Sequence, residues 1–157
     1  MLSPRWTALA AADSSQTHCS VVAVQLTLRT EPAPPVVDAE VSRIAAALPT
    51  AGLLGVMLER TGRHLRVVSA WSRRTDMAAF ERGELHRNAK DALREHVLPP
   101  TVAVWTEHLA ALPPDWHEVQ RRLDAARARR HPHSTAASTS PAPAPPDSAS
   151  TSGRTTP

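Results

Sequence analysis

Between Ser20 and Leu28 both alternating sets of residues are largely apolar: Val22, Val24, Leu26 and Leu28 in one set, Val21 and Ala23 with Gln25 and Thr27 in the other. A period of two marks a strand. A strand apolar in both directions cannot lie in a sheet that keeps one face in water, so both faces must be covered. No other stretch limits the fold as strongly.

The segments that follow supply the partners. Glu31-Pro-Ala-Pro-Pro breaks the strand, and Pro34 and Pro35 suit the first turn of a helix, where a missing N–H costs nothing. Val37, Val41, Ile44 and Leu48 form one apolar stripe that Pro49 ends. Leu53 to Arg60 and His64 to Ser72 are strand-like and flank the turn signal Thr61-Gly62, which predicts an antiparallel hairpin. Thr75 is a candidate cap for the next helix, with Asp76 at its positive end and Met77 and Phe80 buried. Gly83 interrupts that helix, and the pattern resumes at Leu85, Ala89, Ala92 and Leu93 until Pro99-Pro100.

A fourth strand runs from Thr101 to Leu109, with Val102 and Val104 on one face and Ala103, Trp105, Glu107 and Leu109 on the other. Asp115 and Glu118 form a capping-box pattern ahead of Trp116, Val119, Leu123 and Ala126, the stripe of a further helix. The order β-α-β-β-α-β is the ferredoxin-like split motif. The expected fold is therefore α+β, a four-stranded antiparallel sheet with helices on one face and an additional C-terminal helix. Its second face is also apolar, and the simplest cover is another copy, so a homodimer is expected, with a ligand pocket at the interface.

With 157 residues the chain has room for one core. Residues 1–18 are read as a flexible leader, 19–130 as the domain, and 131–157 as a disordered tail rich in Pro, Ser, Thr and Ala that lacks any large aliphatic or aromatic residue. The net charge is only +3, and the arginines at 121, 122, 127, 129 and 130 suit a solvated helix end, so no nucleic-acid partner is expected. No apolar run reaches the roughly 20 residues that span a bilayer, and no membrane role is expected. Cys19 is the single cysteine and reads as a small buried hydrophobe in a cytoplasmic protein.

Self-evident chemistry is scarce. There is no phosphate-cradling glycine loop, no paired zinc histidines on a helix, and no nucleophile elbow. His131-Pro-His133 offers only two ligands, so no metal site is expected. Glu59 and Glu107 are the carboxylates that strand ends could bring together.

Ser69-Ala70-Trp71, followed by Met77, Phe80, His86 and Ala89 and closed by Leu112-Pro-Pro-Asp-Trp116, resembles the dimeric α/β barrel superfamily, in a branch related to the antibiotic biosynthesis monooxygenases. The resemblance covers most of Ser20 to Leu123. It implies a small monooxygenase-like enzyme acting on an apolar or aromatic compound without metal or flavin. On that reading Trp71 and His86 carry the chemistry, and Arg66, Asn88 and Trp105 bind ligand. Haem held by His86 is the alternative that other members of the superfamily suggest. The chain departs from the monooxygenase pattern in having no Tyr, and its only Asn is Asn88. That departure favours a non-catalytic ligand-binding or structural dimer as the competing expectation.

Overall fold

The computed structural model describes residues 5–48 and 50–130. The tail at 131–157, with His131 and His133, lies outside the described residues. The elements are β1 (Thr7–Ala8), β2 (His18–Thr27), α1 (Pro35–Ala46), β3 (Leu53–Thr61), β4 (His64–Trp71), α2 (Arg74–Arg82), α3 (Glu84–Leu93), β5 (Thr101–His108), a 3-10 turn (Leu109–Ala111) and α4 (Trp116–Arg130). They form a five-stranded antiparallel sheet in the order β1-β3-β4-β2-β5. β2 is central to the four long strands, as its two apolar sets require.

Local chemistry sets the boundaries. Pro34 is extended and Pro35 opens α1, with Asp38 in the first turn and Arg43 in the last. The hairpin of β3 and β4 turns at Gly62, whose φ of 54° suits glycine. Asp115 caps α4, its Oδ1 accepting from the backbone N–H of His117 at 2.7 Å. Glu118 does not complete a capping box there, because its carboxylate is taken by Arg121 and Arg122. Thr75 is not the cap of the second helix either, since α2 already begins at Arg74.

Register assigns the side chains to faces, because directly paired residues of neighbouring strands point the same way. Val22 pairs with Ser69 and Val104, and Val56 pairs with Ser69, so these four share a face. Val21 pairs with Ala70 and Trp105 on the opposite face. On the Val22 face, Met77 and Phe80 of α2 pack with Val22, Leu53 and Trp71. At the other end of the same face, Val37 of α1 and Leu93 of α3 enclose Leu26 and Leu28. On the Val21 face lie Val119, Leu123 and Ala126 of α4, packed with Cys19, Ala23, Val68, Ala70, Ala103 and Trp105. Full burial of Leu123 and Val119 stabilises the fold by roughly 1.5–3 kcal/mol each.

Two expectations change. The sheet has five strands and not four, and the extra one comes from the segment read as a leader: Thr7 pairs with Val56 and Ala8 with Gly55. Trp6 and Ala12 pack on the Val21-face core, and Leu9 on the Trp71 cluster. The second change concerns cover. The face without α1, α2 and α3 is covered by α4 and the N-terminal segment of the same chain, so the apolar residues there do not need a second copy to leave water. What remains open is on the α2 side, where Leu58 is 42% and Val104 41% exposed.

Candidate functional site

Trp71 ends β4 and points to the α2 side, where its ring is only 2% exposed. Its indole N–H donates to Ser69 Oγ at 2.9 Å, two residues back on the same face of the strand. This satisfies the polar atom of a buried Trp. Phe80 of α2 packs against it with ring centroids 5.3 Å apart, and His86 of α3 packs against Phe80 at 5.6 Å. Trp71, Phe80 and His86 therefore form one aromatic run. It borders the aliphatic sheet rows of Val22 and Val24, with Val67, Leu58 and Val102 paired across from Val24.

The helix break places His86. At Gly83 the backbone is extended, with φ −62° and ψ 152°, and this separates α2 from α3. The interruption leaves the carbonyl of Glu81 without the N–H it would meet in a continuous helix. The His86 ring takes that place, with Nδ1 3.0 Å from Glu81 O.

The other sequence-derived candidates do not join this run. Arg66 pairs in register with Gln25 and Glu59, on the α4 side of the sheet. Its guanidinium donates to Glu59 Oε2 at 2.7 Å and to Gln25 Oε1 at 3.3 Å, and lies 5.9 Å from the Trp116 ring. Gln25 is 4% exposed. Trp105 is also on the α4 side, under the Arg122 guanidinium at 4.7 Å, with its N–H donating to Glu107 Oε2 at 3.1 Å. Asn88 is exposed on α3. Glu59 and Glu107 do not meet, since each is committed to a different partner. Thus Trp71 and His86 stand together, whereas Arg66 and Trp105 lie across the sheet from them.

Cys19 is buried, and burial pushes its thiol above the ordinary range, with the Glu107 carboxylate adding to the effect. No group of three or more His, Cys, Asp or Glu suited to a metal occurs among the described residues. Two cavities lie away from this run: one of about 270 Å³ between Trp6, Ala8, Ala12, Leu54, Leu109 and Leu112, and one of about 140 Å³ between β5 and α4 beside Arg122 and Arg129. For haem, His86 could supply a ring nitrogen, but Phe80 fills the space between it and Trp71, leaving no slot for a macrocycle at that contact. Those three rings do not form a haem slot between them.

Sequence reasoning missed Ser69 as the partner of Trp71. The signal was present, because residues two apart on a strand share a face. It also missed Trp6, whose seat is Gly55: a Cβ there would collide with the indole, and a glycine inside a strand is the mark of such an approach.

No helix among the described residues is long and apolar enough to cross a membrane. No protein-family model matches the sequence, and no curated protein matches it. Solved structures do match in shape. A Nitrosomonas europaea protein assigned to the antibiotic biosynthesis monooxygenases superposes with a TM-score of 0.53 at 16% identity, over 63% of this chain and 95% of that one. SnoaB, a cofactor-independent oxygenase from Streptomyces nogalater, gives 0.50 at 14% identity, over 63% and 99%. A Lactobacillus acidophilus protein assigned as a monooxygenase gives 0.51 at 9% identity, over 64% of this chain and 48% of that one. At such identities the likeness is one of fold: the chain is built, like these antibiotic biosynthesis monooxygenase-like proteins, on a ferredoxin-like α+β scaffold.

Proposed function

We propose that the protein binds an apolar or aromatic compound on the α2 side of its sheet and oxygenates it, with Trp71 and His86 at the reacting end. The observation that carries this reading is the aromatic run Trp71–Phe80–His86 beside aliphatic sheet rows that include the exposed Leu58 and Val104. A flat apolar molecule would bury surface against Val24, Val67 and Leu58, and the stabilisation scales with the area removed from water. The His86 ring is the titratable group within the run.

SnoaB, which has this fold, is a cofactor-independent oxygenase. A cofactor-independent oxygenation here would draw all four electrons that reduce O2 from the substrate: a ring CH2 and O2 become C=O and H2O, after a base removes the first proton. Imidazole is suited to that task near neutral pH. Arg66 and Trp105 are not part of this site on our reading, since they face α4.

The homodimer is likewise a proposal. Its support is the exposure of Leu58 and Val104, which a second copy would cover while closing the pocket. Sedimentation across a concentration series tests it, and a strictly monomeric chain refutes it.

Oxygen uptake tests the reaction. The full chain mixed with an electron-rich hydroxyarene that bears a ring CH2 is expected to consume oxygen above the buffer rate, and His86→Ala to lower that rate about 100-fold, the order contributed by one acid-base group. A non-catalytic binding or structural role is favoured by one observation, the near-complete burial of Trp71 with its N–H already bonded. Binding retained without oxygen uptake would decide for that second reading.

A further inference from the structure

We infer that the helix break at Gly83 sets the tautomer of His86, so that Gly83 is a positioning residue for the site. Glu81 O can only accept, so the nitrogen 3.0 Å from it, Nδ1 of His86, must carry the proton. In the neutral ring the other nitrogen, Nε2, then holds a bare lone pair. That is the atom that can take a proton from a bound molecule.

The sequence explains why the carbonyl is free. In an unbroken helix Glu81 O would accept from the N–H of Leu85, four residues on. Gly83 is extended, with ψ 152°, and its own N–H turns back to Phe80 O at 3.0 Å, so α3 starts afresh at Glu84. The extended backbone at Gly83 takes Leu85 N–H out of line with Glu81 O, and the His86 side chain bonds that carbonyl instead. Phe80 packs on the ring and restricts its rotation away from this bond. Free neutral imidazole side chains prefer the proton on Nε2. One hydrogen bond of ordinary net strength shifts the ratio by roughly fivefold toward Nδ1–H.

This inference deepens the functional reading and rests on it only for the use made of Nε2. The tautomer is measured without substrate. If it is as stated while no oxygen is consumed, the functional reading fails and the inference stands.

Nitrogen NMR of the 15N-labelled full chain, at a pH where histidine is neutral, distinguishes protonated from bare ring nitrogens. His86→Gln assigns the signal among the eight histidines. The wild type is expected to show Nδ1–H dominant at His86. Two variants add the same Cβ near Phe80 O, where it would lie 3.0 Å away. Gly83→Ser keeps the break, because Ser is a good cap for α3, and should keep Nδ1–H dominant. Gly83→Ala favours a continuous helix by about 1 kcal/mol over Gly and returns Leu85 N–H to Glu81 O, so the ratio should move back about fivefold toward Nε2–H. Dominant Nε2–H in the wild type or in Gly83→Ser overturns the inference, as does an unchanged ratio in folded Gly83→Ala. The first two samples decide the matter if Gly83→Ala does not fold.

Discussion

The indole of Trp6 rests on the backbone of Gly55, at a point of β3 where any side chain would collide with the ring. The contact pins the N-terminal segment to the sheet beside the two-residue strand β1. Gly55→Val should drive the ring off its seat and destabilise the domain by about 1–3 kcal/mol, the usual range for overpacking. The local readout is hydrogen exchange at Leu9, whose N–H donates to Leu54 O at 2.9 Å and should lose its protection.

Leu123 of α4 is fully buried against the Val21 face. Leu123→Ala is expected to cost about 2–5 kcal/mol in urea unfolding, as for other core leucines. Leu58→Ala, at a 42% exposed position, should change the stability of the dissociated chain, read at low protein concentration, by no more than about 0.5 kcal/mol. Equal costs at the two positions would contradict the assignment of α4 as cover.

These contrasts show where the sequence is informative. The double-sided apolar pattern of Ser20 to Leu28 is enough to place β2 inside the sheet, and the Gly62 turn is enough to pair β3 with β4. The cover of the Val21 face was harder to read, because the apolar stripe of α4 says that the helix packs but not on which face. β1 was not legible at all. Two residues make no periodic signal, and what holds them is a long-range seat on Gly55 rather than local propensity. At the candidate site, the resemblance points to Trp71, His86 and Arg66 alike, and only parity along the strand separates them: positions 66 and 71 differ by an odd number and face opposite ways.

Arg66 and Glu59 form a 2.7 Å ion pair whose side chains are 20% and 15% exposed. Removing one partner leaves the other charge poorly solvated, so Glu59→Gln and Arg66→Met should each cost about 1–3 kcal/mol. The double variant should cost less than the sum, with a coupling of at least roughly 0.5 kcal/mol in a double-mutant cycle. Neither change should alter ligand affinity on the opposite face. A loss of binding in Arg66→Met would put Arg66 back in the site.

Cys19 has its thiol raised by burial and secondarily by Glu107, so the folded chain holds that proton to higher pH than the unfolded one. Stability from this group is present below the ordinary thiol range and is lost as the pH rises through it, because only the unfolded chain then gains by ionising. Unfolding measured from neutral to alkaline pH should show this slope, and Cys19→Ala should remove it. Thiol reagents at pH 8 should label native protein far more slowly than urea-unfolded protein.

The central claim is that ligand binds at the Trp71–Phe80–His86 run. An NMR titration of the full chain with 1-naphthol tests it most directly. The account predicts that the largest shifts fall on Phe80, His86, Val24 and Val67, that Arg66 and Trp105 stay still, and that Phe80→Ala weakens binding about tenfold. Shifts centred on Trp6, Leu109 and Leu112, or no saturable shift at any residue, would contradict it.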